Sequence, residues 1–208
     1  YDFGDATSTY VYQVESFVIH PAWTSRQSTS NTLGDGDELG VDLALARLIR
    51  PVTGVYPARL PSTSDDPLGE RAILAGFGTL VEGDNGNKDS SNELRVGGEN
   101  IIDRSVVKVS KAGVPESQRG GLLGVDFDSS QNQHNNLSSE SNIDLLGSGD
   151  SQAIPLSLEA STAVGDSGGP AFVRTQGAWR VHGVVSYGTT DSSYGDVTVY
   201  TRLASHAD

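Results

Sequence analysis

The 208-residue chain is 36% hydrophobic, enough to bury a core as one large all-β domain or two small ones. Fourteen Lys and Arg stand against 27 Asp and Glu, a formal charge of −13 that repels nucleic-acid backbones and anionic membranes overall. The absence of cysteine excludes disulfides, thiolate metal sites and a cysteine nucleophile, and no run reaches the roughly 20 apolar residues of a membrane span.

The opening residues, YDFGDATSTY, lack the basic start and apolar centre of a signal peptide. A chain that begins with Tyr1 and contains no methionine leads us to expect that an N-terminal segment once preceded it. Long helical periodicity is missing, and short β-branched runs recur between Gly, Asp, Asn and Ser clusters. In YVYQVESFVI the residues Val11, Val14, Phe17 and Ile19 alternate only in part, as in a strand that is bent or buried on both faces. VDLALARLI (41–49) reads as a helix turn or a buried strand. The proline-rich PARLPSTSDDPLGE (57–70) is the candidate junction between two modules. RAILAGFGTL, RSVVKVS, PAFVRT, WRVHGVVSYG and DVTVYTRL supply further strands. VEGDNGNKDSSNE (81–93) and FDSSQNQHNNLSSESN (127–142) read as solvated loops, with His134 facing solvent. Clustered oxygens in GDGDE and DFDSSQNQHNN could hold calcium. Neither carries the full EF-hand pattern, so both are read as acidic surface loops and no metal or cofactor is expected.

The chemistry concentrates in AVGDSGGPAF (163–172). Gly165 and the backbone around Ser167 can aim two N–H groups at one point, an oxyanion hole, and small residues there admit a substrate backbone. The alternative is a glycine-rich turn with an incidental serine. Asp42, flanked by Val41, Leu43 and Leu45, is a carboxylate that needs a partner if buried, or else an ordinary strand-end aspartate.

GDSGGP followed by an apolar strand and GVVSYG (183–188) resembles the chymotrypsin/trypsin family of serine endopeptidases. FVIHPAW (17–23), VDLALARLIRPV (41–52), AGFGTL (75–80) and VTVYTRL (197–203) resemble further family segments, in the family's order. The resemblance implies an all-β fold of two six-stranded antiparallel Greek-key barrels. The first is incomplete here, with residues 1–62 forming that partial N-terminal barrel and residues 63–208 the C-terminal one. It implies that Ser167 is the nucleophile and that Asp42 is the carboxylate orienting a histidine. Gly165 and Ser167 become the oxyanion donors, and Asp166 becomes the acid that pairs with a freed N-terminal amine, although Tyr1 does not match the family's usual start. Ser186, Tyr187 and Gly188 become an edge along which an extended peptide adds as a strand. Ser161 falls at the floor of the side-chain pocket and Thr198 on its wall, which implies a preference for small or medium uncharged residues before the scissile bond.

The family's histidine motif does not occur. His20 matches a later His-Pro strand of the family and is the alternative base. His134, His182 and His206 lie in a polar loop, a strand and the final residues. Both ends of the chain are expected to be clipped, so the base is expected on an upstream segment that stays associated as a partner. The implied protein is a secreted or extracytoplasmic endopeptidase acting on polypeptides. The rival readings are an inactive homologue that binds peptides or proteins on the same fold, and a calcium-dependent adhesive β-protein supported only by the acidic loops.

Overall fold

The computed structural model describes residues 12–29, 39–86, 88–89, 95–106, 121–131, 134–138, 146, 149–189 and 192–207. β1 (Val14–Ile19) and β2 (Ala44–Leu48) pair antiparallel as a separate two-stranded sheet, and helix α1 (Pro21–Thr29) lies between them in the chain. Pro21 occupies the first helical position, where its missing N–H costs nothing. Nine residues are too few for a periodic signal, so the sequence gives no sign of α1. β1 has an irregular register between Val14 and Ser16, as its broken alternation suggests. Both strands, read from sequence as candidates for burial, are instead open to solvent, with Phe17 66% and Leu45 69% exposed. Among the described residues no second layer covers them.

The remaining strands are β3 (Arg71–Gly76), β4 (Leu80–Val81), β5 (Lys88–Asp89), β6 (Val96–Ile101), β7 (Arg104–Val106), β8 (Leu122–Asp126), β9 (Pro170–Thr175), β10 (Ala178–Gly188) and β11 (Val197–Arg202). β4 and β5 pair as a short hairpin that overlaps the stretch read as loop 81–93. The others form one antiparallel sheet in the order β6-β3-β9-β10-β11-β8-β7. Only Ile102 and Asp103 separate β6 from β7. Ile102 N–H donates to Glu70 O at 3.0 Å, and Asp103 N–H to Gly124 O at 3.0 Å. β6 and β7 are therefore one bent strand, hydrogen-bonded to β3 at one end and to β8 at the other, which closes the seven segments into a six-stranded barrel. Closure leaves this sheet without free edges. The inner core is Ala72, Leu74, Ile102, Leu123, Val125, Ala171, Val173, Val185 and Tyr200. The chain has an all-β, chymotrypsin-like architecture. Among the described residues, no helix is long and apolar enough to cross a membrane.

A second buried cluster, Leu122, Leu137, Leu146, Val197 and Val199, packs outside β8 and β11. The stretch 127–142 is thus not simply solvated: Phe127, Asp128, Ser129 and Leu137 are all buried. Carboxyl groups and a guanidinium hold it down. Asp126 Oδ2 accepts the Leu137 N–H at 2.7 Å, and Asp103 Oδ1 accepts the Gln152 N–H at 2.8 Å. Glu159 accepts the N–H groups of Asp128 at 2.7 Å and Leu156 at 2.6 Å. The buried Arg104 guanidinium donates to the carbonyls of Asp103 (2.6 Å), Asp150 (2.7 Å), Gly149 (3.2 Å) and Leu137. His134 also departs from expectation. Its ring stacks on Tyr194 with centroids 6.1 Å apart, because the loop folds back over the barrel.

Replacing Arg104 with Ala strips two buried carbonyls, of Asp103 and Leu137, and two part-buried ones, of Gly149 and Asp150, of their donor at once. We expect a loss of about 3 kcal/mol or more, read as a lower urea midpoint, with Arg104→Lys recovering only part because an ammonium cannot span the same fork. An unchanged midpoint would show that water replaces the guanidinium at no cost.

Candidate active site

The segment before β9 is fastened to its neighbours through its backbone. Gly168 N–H donates to Val185 O at 3.0 Å and Val185 N–H to Gly169 O at 2.9 Å, which sets Ser167 beside β10. Asp166 turns back beneath the loop, its Oδ1 accepting the Gly78 N–H at 2.8 Å and its Oδ2 the Ala163 N–H at 2.9 Å. A Cβ on Gly76 would lie 1.8 Å from Asp166 Oδ1, and one on Gly78 would lie 2.6 Å from Asp166 Cγ. This is why the segment 75–80 alternates glycine with larger residues. The N-terminal amine that family resemblance pairs with Asp166 lies outside the described residues. The two backbone amides already engage both carboxylate oxygens.

Gly165 sits at φ +102, a conformation that L side chains avoid, and a Cβ there would stand 3.0 Å from Gly78 Cα. Among the described residues, the N–H groups of Gly165 and Ser167 have no acceptor. Two donors without acceptors beside a serine hydroxyl are what stabilisation of a tetrahedral oxyanion requires.

Ser167 opens into a cavity of about 150 Å³ whose walls include Ser161, Ser186, Tyr187, Gly188 and Thr198. All five residues that the sequence assigned to substrate binding therefore line one space with the serine. Thr198 Oγ1 lies 3.0 Å from both Ser161 Oγ and Thr162 Oγ1, so three hydroxyls meet there. Asp42 reaches the same place from the β2 side. β10 pairs Val185 with Tyr200 and Tyr187 with Val199, which leaves Ser186 as an extra, bulged residue. A bulge re-aims its side chain, and Ser186 Oγ donates to Asp42 Oδ2 at 2.7 Å. Thr201 Oγ1 donates to the Asp42 carbonyl at 3.0 Å, fixing the backbone as well.

All four histidines are described, and none lines the Ser167 cavity. His20 Nδ1 accepts the Ala22 N–H at 3.2 Å, and its ring stands edge-on to His206 with centroids 5.2 Å apart. His206 Nε2 donates to Gly40 O at 2.7 Å. His182 is fully buried, its Nε2 3.1 Å from Thr175 Oγ1, and burial holds its pKa below the usual histidine range. Sequence reasoning missed Thr162, Thr189 and Asp196, which also line the cavity. No motif marks them; their proximity comes from the fold.

A family model described as Trypsin matches residues 3–208. Phenoloxidase-activating factor 3 of Holotrichia diomphalia is 28% identical over 203 residues, an alignment covering 94% of this chain and 45% of that protein. The chain therefore spans less than half the length of that curated relative. With a nearly complete family match over a closed β-barrel that carries the GDSGGP loop, the chain belongs to the trypsin family.

Proposed function

We propose that this protein is a secreted serine endopeptidase that cleaves polypeptides through an acyl-enzyme on Ser167. The observation that carries this reading is the Ser167 hydroxyl on a cavity shared with Ser186, whose hydroxyl donates to the Asp42 carboxylate, next to two amides, of Gly165 and Ser167, that have no acceptor among the described residues. Ser167 Oγ attacks the scissile carbonyl while a histidine takes its proton. The Gly165 and Ser167 amides receive the developing oxyanion, and Asp42 holds the imidazole in the productive tautomer. The same imidazole returns the proton to the leaving amine. Water then releases the acyl group by the reverse sequence. The extended peptide lies along Ser186–Gly188.

The base is assigned to a histidine outside these 208 residues, because none of the four within them lines the cavity. The exposed apolar side chains of β1 and β2 support an upstream segment packed there as partner, completing a first barrel that ends near residue 62. The same histidine observation favours a second reading, an inactive homologue that binds peptides on the same surface. Fluorophosphonate labelling of Ser167, in this chain alone and with the upstream segment co-expressed, separates the two. The endopeptidase reading expects slow labelling alone and rapid labelling in the complex, abolished by Ser167→Ala. Rapid labelling of the chain alone would move the base to a histidine within it, His20 first. No labelling in either sample favours the binding protein.

Library profiling of the active complex tests the pocket. We expect cleavage after Ala, Val or Thr over Phe by about 10-fold or more, and little after Lys or Arg, since Ser161 brings no charge to the floor. Strong cleavage after Lys or Arg would overturn the pocket assignment.

A further inference from the structure

Asp196 lines the Ser167 cavity, just before β11, and is 9% exposed. An acid in a substrate pocket is ordinarily a receptor for a cationic side chain. The bonding around this one points elsewhere. Its Oδ1 accepts the Thr189 hydroxyl at 3.1 Å, and its Oδ2 accepts the Ser192 N–H at 2.5 Å. Thr189 Oγ1 in turn accepts the Val197 N–H at 2.9 Å, so one end of the loop between β10 and β11 is tied to the other.

Ser192 transmits the effect. It sits at φ +64, a left-handed conformation uncommon for a residue with a Cβ. From there its hydroxyl donates to the Thr162 carbonyl. The Thr162 hydroxyl is one of the three that meet at Thr198, all from residues lining the cavity. The chain of bonds thus runs from Asp196 through Ser192 and Thr162 to Thr198. A substrate ammonium would have to displace the Ser192 amide or the Thr189 hydroxyl to reach either oxygen.

We infer that Asp196 is a positioning residue that sets the depth of the Ser167 cavity, restricting it to small uncharged side chains, rather than a charge receptor. The inference deepens the proposed function, since it rests on the reading that this cavity takes a substrate side chain.

The test is equilibrium binding, by calorimetry, of acetylated tripeptide acids ending in Ala, Val, Phe or Lys, which needs no reactive serine. The full chain and its Asp196→Ala, Asp196→Asn and Ser192→Gly variants are compared. Wild type is expected to prefer Ala and Val over Phe by about 10-fold or more. Asp196→Ala erases that preference. Asp196→Asn retains most of it, because an amide oxygen still accepts the Ser192 N–H while its NH₂ donates to Thr189 Oγ1. Ser192→Gly keeps the backbone conformation but removes the hydroxyl, so it relaxes the preference even if Asp196→Ala fails to fold. Tightest binding of the Lys peptide, lost in Asp196→Asn, would establish a charge receptor and overturn the inference. An unchanged preference in Ser192→Gly and Asp196→Ala, or no peptide binding by wild type, would also overturn it. Fluorophosphonate labelling of the complex reads the nucleophile separately. Its failure alongside a shifted binding preference would remove the endopeptidase reading and leave the positioning role standing.

Discussion

In the complex that carries a base histidine, Asp42→Asn is expected to lower kcat by about 10⁴-fold, the size of effect that loss of the triad carboxylate has in serine proteases. An asparagine of the same shape can present its NH₂ to the imidazole and so favour the tautomer that cannot take the serine's proton. Ser186→Ala should cost far less, about 10- to 100-fold, because it removes only one hydrogen bond to the carboxylate. Burst kinetics with an ester substrate would separate acylation from later steps, and melting curves should show both variants folded. Full activity in Asp42→Asn would return Asp42 to an ordinary strand-end aspartate.

The second large effect concerns pH. Burial pushes the Asp103 carboxyl up to about 7, helped by the charge of neighbouring Asp126, and it pushes Asp128 up to about 8, helped by Asp126, Glu159 and Asp103. Asp126 and Glu159 are raised as well, again chiefly by burial. A carboxyl whose folded pKa exceeds its unfolded value holds protons that the unfolded chain has already released. Its contribution therefore falls as pH rises from about 4 through 7 to 8 and is flat above. His182 acts in the opposite sense: burial depresses its pKa, so stability is lost as pH drops below about 6.5. Between pH 8.5 and 6.5 the raised carboxyls dominate the pH dependence of stability. The melting temperature should rise over that interval as pH falls, by about 2 to 4 °C for each kcal/mol gained. Asp128→Asn should flatten the rise, and calorimetry across the interval checks it. A flat or inverted profile in the wild-type chain would show that the cluster is not buried as a proton-holding group.

What could be read from the sequence was chemistry confined to a few neighbouring residues. Gly76, Gly78 and Gly165 are legible because backbone and the Asp166 carboxylate approach where a Cβ would stand, a demand met by one residue type. Ser161, Ser186 and Thr198 could be placed on one cavity because family order fixes which strands meet. The buried loop was not legible. Leu137 is a lone apolar residue in polar surroundings, and its burial is secured by Arg104, thirty-three positions earlier. Asp196 has no motif at all; its importance arises from Ser192 and Thr189 meeting it in the loop joining β10 to β11. The exposure of β1 and β2 was equally hidden, since an apolar strand reads the same whether or not another layer covers it.

The grips that Asp103, Asp126, Glu159 and Arg104 exert on loop backbone form only in the native molecule. A disulfide differs in kind, acting largely by constraining the unfolded chain and requiring an oxidant to form. Within these 208 residues there is no thiol for glutathione to reduce or for an isomerase to reshuffle. Refolding of this barrel is then governed by strand pairing and proline isomerisation, and thiol exchange sets none of its slow phases. Dithiothreitol should leave its unfolding curve unmoved, and the fold is equally compatible with an oxidising exterior and a reducing cytosol.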